Sequence, residues 1–192
     1  MLEFLKGFFS IFLKKESAEQ ETPVKQLTKS PEDINISILN IDDIRKVKLL
    51  YPGIQKDAYK FLIATKEAGI SGGLFCSLRT FEEQDKLYAQ GRTKPGSIVT
   101  NAKGGQSYHN YGIAFDFVFK DKKGNWTWNG DYNKIGKIGE SLGFEWGGSW
   151  SKFPDKPHFQ KIYNQSVENL LKVYNKNKKV EDVWTYLNSL KK

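Results

Sequence analysis

Hydrophobic and polar positions change period several times along the chain, and each change predicts an element. In residues 1–15, Leu2, Phe4, Leu5, Phe8, Phe9, Ile11, Phe12 and Leu13 cover a wide arc of a helical wheel, with Glu3, Lys6, Gly7, Ser10 and Lys14 on the rest. That spacing predicts an amphipathic helix. Residues 16–38 are mostly polar and carry Pro23 and Pro31, which marks a linker. A globular pattern begins at residue 39. It predicts a helix over 41–50 capped by Asn40, and a second over 55–68 with Ala58, Phe61, Leu62 and Thr65 on one face. A third helix, over 80–90, opens on Thr80-Phe81-Glu82-Glu83, a weak capping-box pattern. Pro52-Gly53 reads as a turn, and Gly72-Gly73 as punctuation before a short apolar strand at 74–78.

Residues 91–106 are a Gly-containing loop. Residues 112–119 then alternate: Ile113, Phe115, Phe117 and Phe119 on one face, Ala114, Asp116 and Val118 on the other. Period two is the mark of a strand, here with an aromatic buried face and a carboxylate opposite. A turn at 121–124, a helix over 132–142 stopped by Gly143, a strand at 158–159 and helices over 167–174 and 180–190 complete the pattern. The βαβ alternation of a doubly wound sheet is missing. The expectation is an α+β fold, a small antiparallel sheet flanked by helices. Its organisation would be an N-terminal helix 1–15, a linker 16–38, a main domain 39–162 and a C-terminal helical extension 163–192.

Composition narrows the function classes. In 192 residues there is no run near the ~20 apolar positions that a spanning helix needs. One cysteine, Cys76, rules out an intramolecular disulfide and any Cys₂His₂ or Cys₄ zinc site, and in its apolar strand it reads as a small core residue. No GxGxxG or GxxxxGK[ST] is present, so these nucleotide-binding motifs are absent. The net charge of +8 suits a polyanion, but no basic helix or aromatic-basic motif points to nucleic acid, and none is expected as a partner. Residues 1–15 are too short to span a bilayer, and Glu3 spoils a signal-peptide start. An interfacial anchor giving peripheral membrane contact and a helix packed on the domain or a partner are the two readings.

The candidate chemistry rests on two histidines, His109 and His158. A hydrolytic zinc site takes three His or carboxylate ligands and leaves one position open, and His109, Asp116 and His158 meet that count. His109 lies seven residues before Asp116, so their meeting requires a bend, which Gly112 can supply. Asp155, three residues before His158, is a carboxylate outside the ligand set, as a general base must be. Arg79, between a strand and a helix, is a candidate for binding a carbonyl and its developing charge, with Gln84 one turn further on.

These segments resemble the D-Ala-D-Ala carboxypeptidase/L-alanyl-D-glutamate endopeptidase family of zinc peptidases. The shared pattern is Ser107-Tyr108-His109, then Gly112-x-Ala114-x-Asp116, then Asp155-x-x-His158. Ser77-Leu78-Arg79-Thr80 with Gln84, Glu145-Trp146-Gly147-Gly148 and Pro157-His158-Phe159-Gln160 match as well, over residues 40–162, in the family's order. Ser149 stands where relatives often carry aspartate. The resemblance implies a hedgehog/DD-peptidase-like fold and one zinc ion held by His109, Asp116 and His158. It makes Asp155 the catalytic base that later protonates the leaving amine, and Arg79 the stabiliser of the tetrahedral intermediate. Ser107 and Gln84 would line the substrate cleft. The compact length and the Pro-His-Phe-Gln ending look most like phage endolysins and bacterial autolysins. Those cut the L-Ala–D-Glu bond of the peptidoglycan stem peptide, here as a monomer acting on the bacterial cell wall after export or release. The alternatives are a D-Ala-D-Ala carboxypeptidase or dipeptidase of the same family, and a non-catalytic wall-binding module.

Overall fold

In the computed structural model, which describes residues 34–190, the Asn40 side chain accepts the Asp43 N–H at 2.8 Å and starts helix α1, Ile41–Lys48. The amphipathic stretch 1–15 and the linker up to residue 33 lie outside the described residues. Helix α2 is Pro52–Glu67, so the expected Pro52-Gly53 turn is instead the first turn of the helix. The reason is local: proline's fixed φ suits the N1 position, where its missing N–H has no partner to lose.

Strand β1 is Gly72–Cys76, two residues earlier than the apolar run suggests. Gly72 and Gly73 are not punctuation; they pair with Phe119 and Val118. A Cβ on Gly72 would fall 2.4 Å from the Val118 carbonyl oxygen and 2.5 Å from the Phe117 ring, so the close approach requires glycine. Helix α3, Phe81–Ala89, opens with the anticipated capping box: Thr80 Oγ1 accepts the Glu83 N–H, and Glu83 returns a carboxylate oxygen to the Thr80 N–H.

Strand β2, Ala114–Lys120, turns back through Asp121–Gly124 into β3, Trp126–Thr127. Then follow helix α4 (Tyr132–Ser141), strand β4 (Glu145–Trp146), strand β5 (His158–Gln160), and helices α5 (Val167–Asn177) and α6 (Val180–Ser189). β4 has no signal in the hydropathy pattern because two residues are too few to show a period. The sheet is antiparallel in the order β1-β2-β5-β4, with β3 paired to the end of β2. This is the α+β class expected.

The aromatic face of β2 packs on α2. Phe61 meets Phe115, Phe117 and Phe159 with ring centroids 5.2, 5.7 and 4.8 Å apart. All four are fully buried, and burial of such rings is the main favourable contribution to a fold of this size. The terminal helices share this core through Leu170, Val183 and Leu187. They are also tied to the rest by Trp184 Nε1–H donating to the Tyr111 carbonyl (2.8 Å) and Tyr51 O–H to Asn188 (2.6 Å). Ile36, before the expected domain start, is buried in the same core.

Candidate metal centre and cleft

Alternation along β2 sends Asp116 to the face opposite the phenylalanines, and the register of the sheet does the rest. Asp116 stands directly across from His158 on β5 and from Cys76 on β1. The Cys76 pairing depends on a bulge. Leu74 pairs with Phe117, and the next partner of Asp116 is Cys76, so Phe75 is an extra residue on β1. Without it, Cys76 would be directed at Phe115 and the core. Cys76, expected as a core residue, therefore lines the buried polar cluster. A bulge leaves no trace in the sequence pattern, which is why hydropathy alone assigns the residue to the core.

His109 arrives from a 3₁₀ turn, Tyr108–Tyr111. Gly112 closes that turn at φ +66°, in the left-handed region, and its N–H donates to the His109 carbonyl. The same carbonyl accepts the Arg79 N–H at 3.0 Å. The bend required of Gly112 is thus made, and three donor atoms meet. His109 Nε2 lies 3.2 Å from Asp116 Oδ1 and 3.1 Å from His158 Nδ1, and His158 Nδ1 lies 3.2 Å from Asp116 Oδ1. All three residues are buried.

The outer nitrogens fix which atoms point inward. His109 Nδ1 is 2.9 Å from the Ser77 carbonyl oxygen, and His158 Nε2 is 2.9 Å from Gln160 Oε1. A carbonyl oxygen can only accept, so both outer nitrogens carry an N–H, and His109 Nε2 and His158 Nδ1 are the nitrogens that can offer lone pairs to a cation at the centre. Two ring nitrogens and a carboxylate oxygen converging on one point suit a cation. Zinc bonds of about 2.0–2.1 Å in a tetrahedral shell separate ligands by about 3.3 Å, close to the triangle observed, so the donor set fits zinc.

A second triad shares two of these residues: Cys76, His109 and Asp116 have ligand atoms within 4.8 Å of one another. His158 is the better third vertex, because the Cys76 side of Asp116 already faces a cation. Arg79 Nη2 lies 3.2 Å from Cys76 Sγ and 3.6 Å from Asp116 Oδ2. The electrostatics agree with a site built for positive charge. Burial opposes ionisation of Asp116, but His109 and His158 hold its carboxyl well below the usual range. Burial likewise disfavours charged His109, yet the Asp116 carboxylate prevails and pushes the imidazole up to about 10, so without metal Nε2 holds a proton towards Asp116 that a bound cation would displace. Burial raises the Cys76 thiol, and Arg79 and His109 outweigh it, so the thiol lies below its ordinary value.

Arg79 is buried, and its Nη1 donates to Gln84 Oε1 at 2.7 Å. Gln84 is fully buried behind it, donating to the Ala102 carbonyl (2.8 Å) and Thr100 Oγ1 (3.3 Å). It stands among neither the exposed nor the half-buried residues of the cleft wall, in contrast to the expectation from sequence. Its short distance to Arg79 explains this: the guanidinium takes the amide oxygen, and the loop at 100–102 takes the amide hydrogens.

The cluster opens into a cleft of about 700 Å³. Ser107, Asp155, Tyr108, Trp128, Trp150 and Tyr132 are on its walls. Asp155 hangs between two backbone bonds, its N–H to the Gly147 carbonyl (2.9 Å) and its carbonyl accepting the His158 N–H (3.1 Å). Its side chain is open to solvent on one side and crowded by protein on the other. That crowding, then the charge of Asp116, raises its carboxyl above the ordinary value, against the lowering pull of His158, His109 and Arg79.

Tyr132 on the cleft wall is buried, and its hydroxyl finds no hydrogen-bond partner among the described residues. A buried hydroxyl without a partner carries a desolvation cost. Tyr132→Phe is therefore expected to raise stability by about 1 kcal/mol, read as a higher Tm in thermal denaturation; a lower Tm would mean that the hydroxyl is satisfied in solution.

A family model described as D-alanyl-D-alanine carboxypeptidase matches residues 100–161. The peptidoglycan L-alanyl-D-glutamate endopeptidase CwlK of Bacillus subtilis is 45% identical over 125 residues, which covers 60% of this chain and 75% of CwlK. The L-alanyl-D-glutamate peptidase of Listeria phage A118 is 35% identical over 124 residues, 62% of this chain and 41% of the phage protein. The crystal structure of the Serratia marcescens L-Ala D-Glu endopeptidase ChiX aligns with a TM-score of 0.49 and 21% identity, covering 70% of this chain and 96% of ChiX.

Proposed function

Because the chain belongs to the D-Ala-D-Ala carboxypeptidase/L-alanyl-D-glutamate endopeptidase family of peptidases, we propose that it hydrolyses the L-Ala–D-Glu bond of the peptidoglycan stem peptide, with zinc held by His109, Asp116 and His158. The observation that carries the reading is the triangle of inward-facing donors at 3.1–3.2 Å on the floor of a cleft with Asp155 on its wall. The choice of bond rests on the two relatives named for it.

Zinc, when bound, supplies Lewis acidity towards a peptide carbonyl and acidifies water at neutral pH. The chain's own residues supply the remainder. Asp155, deprotonated, takes the proton of the attacking water and passes it to the leaving amine, returning to its starting state. Its raised pKa suits both halves of that task. Arg79 holds Asp116 through Nη2 and places positive charge beside the oxygen on which negative charge develops. Gln84 and the 100–102 loop keep the guanidinium in place. Ser107, half-buried on the cleft wall, contacts the peptide.

Mass spectrometry of muropeptides after digestion tests the bond. Cleavage at L-Ala–D-Glu leaves new N-terminal D-Glu. The match to a model described as D-alanyl-D-alanine carboxypeptidase favours a second reading, in which terminal D-Ala is released and D-Glu stays blocked. That product would overturn the first.

A further inference from the structure

The two histidines of the centre are oriented by different means. His109 is held by a backbone carbonyl, that of Ser77. His158 is held by Gln160, and an amide side chain has two ends: had it turned its NH₂ to the imidazole, His158 Nε2 would be an acceptor and Nδ1 would carry the hydrogen into the centre. Something must decide which end faces His158.

Glu145 stands opposite Gln160 in the β4–β5 register. Its Oε2 lies 3.0 Å from Gln160 Nε2, and its Oε1 accepts the Trp150 Nε1–H at 2.6 Å. A carboxylate can only accept, so the NH₂ end of Gln160 faces Glu145 and the oxygen end faces His158. The order of bonds is then forced: Glu145 fixes the amide, the amide fixes the N–H on His158 Nε2, and Nδ1 meets Asp116 and His109 as a lone pair. Gln160 is buried, so water does not compete for the amide. The same Glu145 anchors Trp150, whose ring lies 5.4 Å from that of His158 on the cleft wall.

We propose that Glu145 is a positioning residue that sets the tautomer of His158 and so prepares it to bind the metal. The proposal rests on the reading that His109, Asp116 and His158 hold zinc. Glu145→Gln tests it, because two donors, Trp150 N–H and Gln160 NH₂, converge on two carboxylate oxygens and a glutamine side chain offers one. Outer partners of metal-bound histidine typically change affinity 10- to 100-fold. Zinc affinity of E145Q, measured by chelator competition, is expected to fall at least about tenfold, with the His158 ring nitrogens shifting in long-range ¹H–¹⁵N spectra of the metal-free chain. The exchange E145Q/Q160E restores the order of donors. The amide introduced on β4 gives its oxygen to Trp150 and its NH₂ to the carboxylate introduced on β5, which in turn accepts from His158. The double variant is expected to recover the affinity lost by the single one. A single variant with wild-type affinity and unshifted ring nitrogens overturns the proposal. So does a double variant no better than the single. A wild-type chain that binds no zinc overturns the underlying reading and this proposal with it.

Discussion

Asp155→Ala is expected to lower turnover by about 10²- to 10⁴-fold, the usual range for losing a general base, while zinc stays bound. The two effects separate because Asp155 is outside the ligand triangle: its backbone is pinned by Gly147 and His158, and its side chain stands on the cleft wall. The measurement is kcat on muropeptides beside zinc content of the same sample. Wild-type turnover in the variant would remove Asp155 from the mechanism. The pH profile follows from the same carboxyl. The base acts only when deprotonated, and crowding with the Asp116 charge raises its pKa. Activity is thus expected to be lost as pH falls through a value above the ordinary ~3.9 of aspartate, and the acid limb is expected to vanish in Asp155→Ala.

Asp116→Ala is expected to abolish zinc binding and to destabilise the fold by about 3–5 kcal/mol, as removal of one partner from a buried ion pair does. Asp116 serves both sides at once: Oδ1 faces the two imidazoles and Oδ2 faces Arg79. Without it the guanidinium is left in the interior with Cys76 and Gln84 as its side-chain partners. The loss is expected in urea denaturation of the metal-free protein, where zinc makes no contribution. A metal-free variant as stable as its parent would show that Arg79 does not depend on Asp116. His109→Ala separates the roles, since it removes a proposed ligand but leaves the Arg79–Asp116 pair intact.

Much of the centre is legible in the sequence because its positions obey local rules. Period two puts Asp116 on the face opposite Phe115 and Phe117, and a glycine four residues before it allows the turn that brings back His109. Gln160 shares a strand face with His158 by the same period, so its place beside the imidazole also has a sequence signal. What stays hidden depends on register or on competition between side chains. The bulge at Phe75 moves Cys76 out of the core, and alternation contains nothing to announce it. Gln84 lies on the face of α3 that a cleft residue would occupy, yet Arg79 and the 100–102 loop take all that its amide offers. Pro52 and Gly72 read as breakers because those are their commonest roles. The first turn of a helix and a crowded strand pairing are the settings in which they are not.

The identity of the third ligand is the point on which the chemistry turns, since His109 and Asp116 belong to both triads. X-ray absorption at the zinc edge of the metal-loaded chain distinguishes them. Binding by His109, Asp116 and His158 predicts nitrogen and oxygen neighbours alone, at about 2.0–2.2 Å. A sulfur neighbour at about 2.3 Å would assign the vertex to Cys76 and contradict the account.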